Sequence, residues 1–233
     1  MSCDVMVFSA HPDDGEFIMG GTMIRLARAG KKIVHVTLTP SQMSTHGDME
    51  LRKREFAEAS AIIGCTPIML DFMDTEIEND AESRTRLNRL IREHKPKIAF
   101  APYHTNPAAE NGGTAHRDHY TTGSLVRDAI KLARLEKTVP DLPKHTVQRS
   151  FFYMLPRNVL PNVIVDVTPF LDDVEKLIRC YTSQMAINVR GIEVFDSLMT
   201  QKRAAGLVIG AKYAEHFVTD TPIRFEAEHF VEL

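Results

Sequence analysis

The chain is short of cysteine, of basic residues and of long apolar runs, and each shortage closes off a class of protein. Of 233 residues only Cys3, Cys65 and Cys180 are cysteines. Their number is odd and no CxxC occurs, so buried free thiols are expected rather than a cysteine-ligated metal, which suits a reducing cytoplasm. Lys+Arg number 28 against 31 Asp+Glu, a net charge of −3, so the basic excess of a nucleic-acid binder is missing. No run of about 18 apolar residues occurs, and no membrane span is expected. Met1 to Ala10 lacks a basic start followed by a long apolar run, so no signal peptide is expected and the location expected is cytoplasmic. No internal repeat, low-complexity segment or interdomain linker is found. What remains is an ordinary globular composition, 43% hydrophobic and 25% charged, and a length that suits one domain over 1–233.

Apolar periodicity then gives the order of elements. Asp4 to Ala10 (DVMVFSA) is a nearly continuous apolar run, suited to a strand covered on both faces. Phe17, Met19, Met23, Ile24, Leu26 and Ala27 recur at helical spacing, and Gly30 supplies a stop. Lys32 to Thr39 predicts a second strand. Asp48 is a candidate N-cap for a helix over Met49 to Ile63, closed by Gly64. Ile68 to Phe72 predicts a third strand, Ala81 to His94 a third helix and Lys97 to Ala101 a fourth strand. Strands alternating with helices imply a Rossmann-like α/β fold, a mostly parallel sheet with right-handed crossovers and helices on both faces. Further on, helices are expected over Asp118 to Leu135, Phe170 to Ser183 and Glu193 to Gly210. Strands are expected over Ser150 to Leu155 and Val163 to Val167, with an extended tail from Tyr213 to Leu233. No GxGxxG follows the first strand, which argues against a dinucleotide, and Gly20-Gly21 lies within a helix as a packing feature.

Ligands of such sheets bind beyond the carboxyl ends of the strands. Those ends are His11 to Gly15, Thr39 to Gly47, Asp71 to Glu78 and Pro102 to His119. Two clusters stand there. His11-Pro12-Asp13-Asp14 follows the first strand, in a turn that Pro12 stiffens. One Asp can bind a metal while the other faces water, although an Asp-rich turn can also simply start a helix. His116-Arg117-Asp118-His119 follows the fourth strand, and its histidines share one face if the segment is helical. Together the clusters can offer His, Asp and His to one divalent ion, the pattern of catalytic zinc. A binuclear site would want more carboxylates than they supply. His35, within a strand, reads as a packed core histidine. His46, His104 and Asn106 lie in loops at the active edge as candidates for substrate contact. Glu16 reads as support for the helix start.

AHPDDxE at Ala10 to Glu16, the Thr-Pro-Ser loop ending at Gly47, LRKRE and HRDH together resemble the LmbE/PIG-L-type zinc deacetylases over nearly the whole chain. LRKREFAEASAIIG, KPKIAFAPY and KYAEHF are most similar to the bacillithiol-pathway branch, which deacetylates N-acetylglucosaminyl malate. The resemblance implies zinc held by His11, Asp14 and His119, and Asp13 as general base. It implies His116 beside the oxyanion, oriented and held cationic by Asp118. Arg52 would face the substrate pocket, although it could also pair with Glu55 or Glu58 on its own helix. A small-molecule N-acetyl sugar is the implied partner, with a homo-oligomeric assembly. Three features depart from the family pattern: Arg117 replaces the usual proline, the loop Tyr103 to Ala115 is longer than in compact members, and a tyrosine of the pocket mouth is replaced near Gly191-Ile192. Another metal-dependent amidase or esterase, and a non-catalytic sugar-binding relative, are the alternatives.

Overall fold

Strands covered on both faces favour near-continuous apolar runs, and the first two strands are written that way apart from Ser9, His35 and Thr37. The structure, a computed structural model, describes residues 2–106, 116–189, 191–224 and 226. The chain alternates β1 (Val5–Ser9), α1 (Asp14–Arg28), β2 (Ile33–Thr37), α2 (Met49–Ile63), β3 (Thr66–Met69), α3 (Ala81–His94), β4 (Ile98–Pro102), α4 (Arg117–Ala133) and β5 (Arg149–Tyr153). All five strands are parallel, in the order β3-β2-β1-β4-β5. Every residue of β1 and β2 is buried. Met6, Phe8, Val34 and Val36 face one core with Leu87, Ile91 and Val126 of α3 and α4. Val5, Val7 and Ile33 face the other, with Met23 and Ile24 of α1. This is the two-sided cover a parallel sheet requires.

The strand order places the site. β1 is flanked by β2 on one side and β4 on the other, so the connections leaving β1 and β4 diverge and open a crevice between them. HPDD follows β1 and HRDH follows β4, so the two clusters meet across that crevice.

Local signals behave as expected in α2: the Asp48 carboxylate accepts the Leu51 N–H at 2.7 Å, and Gly64 closes the helix with φ 81°. The helix of α1 is not continuous. Met19 has non-helical angles (φ −129°, ψ 18°), and the N–H groups freed beyond it, at Gly21 and Thr22, donate to the Glu215 carboxylate at 2.9 and 2.7 Å. Lys202 Nζ donates to Glu215 at 2.7 Å and to Ile18 O at 3.3 Å, so a buried ion pair joins the two halves.

The remainder comprises β6 (Val163–Asp166), α5 (Leu171–Arg179), β7 (Asn188–Val189), β8 (Ile192–Glu193), α6 (Val194–Ile209) and β9 (Ala214–Phe217). α5 ends four residues short of the expected Ser183. The expected tail strand is present as β9, paired antiparallel with β6; its continuation at Phe225 and 227–233 lies outside the described residues. Residues 107–115 of the loop expected to be long also lie outside them. Cys3 and Cys180 are buried, Cys65 is half-buried, and all three are free. No helix among the described residues is long and apolar enough to cross a membrane.

Candidate active site

The turn after β1 is tightly constrained. Asp13 sits at φ 112°, a conformation that L side chains rarely adopt. The next residue, Asp14, accepts the His11 backbone N–H at 2.8 Å. Gly15 allows the first turn of α1 to press onto the sheet: a Cβ there would lie 2.9 Å from both His35 Nε2 and Ser9 Oγ. Beneath it, fully buried His35 bonds Ser9 Oγ at 2.8 Å. Burial holds the imidazole down to about 3, so His35 is the packed core histidine expected. Glu16 accepts the Tyr181 hydroxyl at 2.6 Å, and burial pushes its carboxyl up to about 7.

Above this floor the residues singled out by the sequence converge. Asp14 lies 3.1 Å from His119 Nε2 and 3.5 Å from His11 Nδ1. The rings of His11, His116 and His119 stand 5.2 to 5.5 Å apart, centroid to centroid. One nitrogen from each lies within 4.8 Å of the others. Asp74 also enters the cluster. Its carboxylate is 3.0 Å from His11 Nε2, and His11, Asp74 and Asp118 form a second set of donors within 4.8 Å. Asp74 follows β3 at the strand end Asp71 to Glu78. That position was the available signal, and no motif marks it. The cluster therefore carries more carboxylate than HPDD and HRDH suggest.

The donor set suits a divalent ion. Asp13, Asp14, Asp74 and Asp118 supply four carboxylates, and the contacts around them include one arginine, Arg52. Burial opposes a proton on His11, yet bonds to Asp118, Asp14 and Asp74 raise its pKa well above the usual range. Burial likewise opposes the charge on Asp14, but His119 and His11 hold its carboxyl well below the usual range. A surplus of buried negative charge with imidazoles among it is what a cation would balance.

Two expected contacts take a different form. Arg52 is 2% exposed, with its guanidinium 2.9 Å from Asp13 Oδ2, on Pro12 O, and 3.7 Å from Glu55. It is committed to the Asp13 turn rather than open to the crevice, and the expected partner Glu55 is part of that commitment. Asp118 accepts the Thr75 N–H at 2.7 Å and lies 3.4 Å from His11, while His116 Nδ1 is 4.0 Å from its carboxylate. What supports His116 is the Asp118 backbone N–H, which donates to Nδ1 at 3.3 Å, with His116 as the N-cap of α4. Burial and the neighbouring His11 and His119 lower the pKa of His116. In place of the expected close ion pair with Asp118, Nδ1 of His116 thus meets a backbone N–H.

His104 and His46 stand apart from the cluster's contacts. His104 is gripped between Arg127 at 3.1 Å and Asp220 at 3.2 Å and stacks on Tyr103. His46 is exposed, and its backbone carbonyl accepts from Gln184.

Residues 6–130 match the PIG-L family, GlcNAc-PI de-N-acetylase, and the chain belongs to that family. It is 30% identical to diacetylchitobiose deacetylase of Thermococcus kodakarensis, over 91% of this chain and 80% of that one. Against a probable N-acetyl-alpha-D-glucosaminyl L-malate deacetylase of Bacillus anthracis it is 22% identical, over 79% and 83%. Among solved structures, a conserved protein from Thermus thermophilus superposes with a TM-score of 0.85 at 31% identity, covering 97% of this chain and 98% of that one.

Proposed function

We propose that this protein is a zinc-dependent hydrolase that removes the acetyl group from an N-acetylglucosaminyl substrate. The convergence of His11, Asp14 and His119 beside Asp13, at the crevice between β1 and β4, carries this reading. In it, His11, Asp14 and His119 hold the ion. Zinc supplies Lewis-acid polarisation of the amide carbonyl and a water that ionises near neutral pH.

Asp13 is the general base. Burial, opposed by Arg52, pushes its carboxyl up to about 7, where a base is matched to neutral pH. Arg52 fixes that carboxylate by occupying one of its oxygens. His116 Nδ1 accepts from the backbone, so its Nε2–H is free to donate to the developing oxyanion as a neutral imidazole. A helix N-terminus favours that neutral state. Asp74, 3.0 Å from His11 Nε2, orients the ring of that ligand.

The relatives' substrates set the test. Zinc-loaded protein is assayed for acetate release from diacetylchitobiose, N-acetylglucosaminyl malate and a model acetate ester. Turnover of a glucosaminyl amide is the expected result. Ester cleavage with no acetate from any N-acetyl sugar would overturn the reading in favour of an esterase.

A further inference from the structure

A cavity of about 200 Å³ opens beside His119. Its walls come from Phe17 and Ile18 of α1, Tyr120 of α4, Met154 and Leu155 after β5, and Leu198 of α6. His119 is the one member of the histidine and aspartate cluster on that wall. The polar contacts of the cluster lie on the other side. Arg52 and Asp74 come from elements that follow β2 and β3, whereas the cavity is built by α1, by residues following β4 and β5, and by α6 and β9.

The charged groups at the cavity wall are spent on the fold. Lys202 donates to Glu215 and to Ile18 O, and Glu215 accepts from Gly21 and Thr22. Each is under 5% exposed. Asn106, whose Oδ1 is buried without a partner among the described residues, is joined at the wall by the polar groups of Thr105, Gln201, His216, Tyr103 and Tyr120. The remainder is mostly apolar.

We infer that this cavity is an acyl-chain subsite, and that the protein hydrolyses glucosaminyl amides with acyl groups of about four to six carbons at least as well as acetyl. The inference rests on the hydrolase reading above. An amide carbonyl seated at the cluster has two substituents. The sugar is rich in hydroxyls and needs the polar side, so the acyl substituent is directed towards the cavity. An apolar cavity of about 150 Å³ holds a benzene molecule, so a lone methyl group would leave most of this one unfilled. The chemistry is unchanged by chain length: water oxygen bonds to the acyl carbon as Asp13 takes one of its protons, the C–N bond breaks, and that proton passes to the nitrogen, which leaves as an amine.

The test uses the zinc-loaded full chain with N-acetyl, N-butyryl and N-hexanoyl forms of one glucosaminyl compound. kcat/KM should rise roughly fourfold per buried methylene, the scale of its transfer from water, until the cavity is full. Leu198→Trp fills the cavity and should cut hexanoyl hydrolysis at least tenfold relative to acetyl. Leu155→Trp, at a half-buried position, makes the same test where the fold is easier to keep. Acetyl hydrolysis with hexanoyl more than 100-fold slower would overturn the inference alone. Equal slowing of every chain length by both variants would also overturn it. No hydrolysis of any chain length, acetyl included, would overturn the hydrolase reading and this inference with it.

Discussion

The two histidine-bearing turns are built differently. After β1, His11 and Asp14 have side chains 13% and 6% exposed and are held by Asp74, His119 and a backbone N–H. Asp13 keeps an unfavourable φ because Arg52 grips both its carboxylate and the preceding carbonyl. After β4, the His116 side chain is 45% exposed and, among the described residues, has one hydrogen bond, at 3.3 Å. The first turn spends its contacts on fixed placement, as the proposed metal ligand and its neighbouring base would require. The second leaves an imidazole exposed.

Several substitutions sharpen that contrast. The largest effect is expected at Asp13. Asp13→Asn keeps size and removes basicity, so kcat should fall about 100- to 10,000-fold while zinc content holds. Turnover within a few fold of wild type would remove Asp13 from the mechanism. Next is His116. His116→Ala should lower kcat about 100- to 1000-fold, as loss of one oxyanion donor does. His116→Gln keeps a neutral N–H and should recover at least tenfold of that loss. Equal damage from both variants would show that a cationic imidazole is needed after all.

Arg52 separates placement from binding. Arg52→Lys keeps the charge and loses the planar fork. If Arg52 acts on Asp13, kcat should fall roughly tenfold, the equivalent of about 1.4 kcal/mol, with KM nearly unchanged. A raised KM at constant kcat would make Arg52 a substrate contact instead.

A separate effect, outside the site's chemistry, concerns stability. His35 is held near 3 when folded, below its ordinary value of 6.5. Its contribution is therefore complete above pH 6.5 and is lost as pH falls from 6.5 towards 3, by up to about 1.4 kcal/mol per pH unit. Urea unfolding of His35→Gln should be correspondingly flatter than wild type between pH 6.5 and 4. Parallel curves would mean that His35 carries no such linkage.

The alternation of strands and helices was legible because the central strands are short, mostly apolar runs and some helices carry their own caps, as α2 does at Asp48 and Gly64. HPDD was legible because it directly follows β1, and HRDH because it opens the helix after β4. Asp74 was not, since its partner His11 is 63 residues away in sequence. Nor was the break in α1, because its compensation comes from Lys202 and Glu215, almost 200 residues on. Arg52 was found with one of its partners, Glu55, but its grip on Asp13 was not foreseen, nor was the contact of Asp118 with Thr75: burial and backbone placement decide whom a side chain meets, and neither is written in a motif.

The most direct measurement is the metal content of two neighbouring variants. Asp13→Asn and Asp14→Ala are purified alongside wild type, loaded with zinc, dialysed and analysed for bound metal, with folding checked by circular dichroism. Wild type and Asp13→Asn should each retain about one zinc per chain, and Asp14→Ala should lose most of it. Full retention by Asp14→Ala, or loss from Asp13→Asn, would contradict the division of labour between ligand and base in this turn.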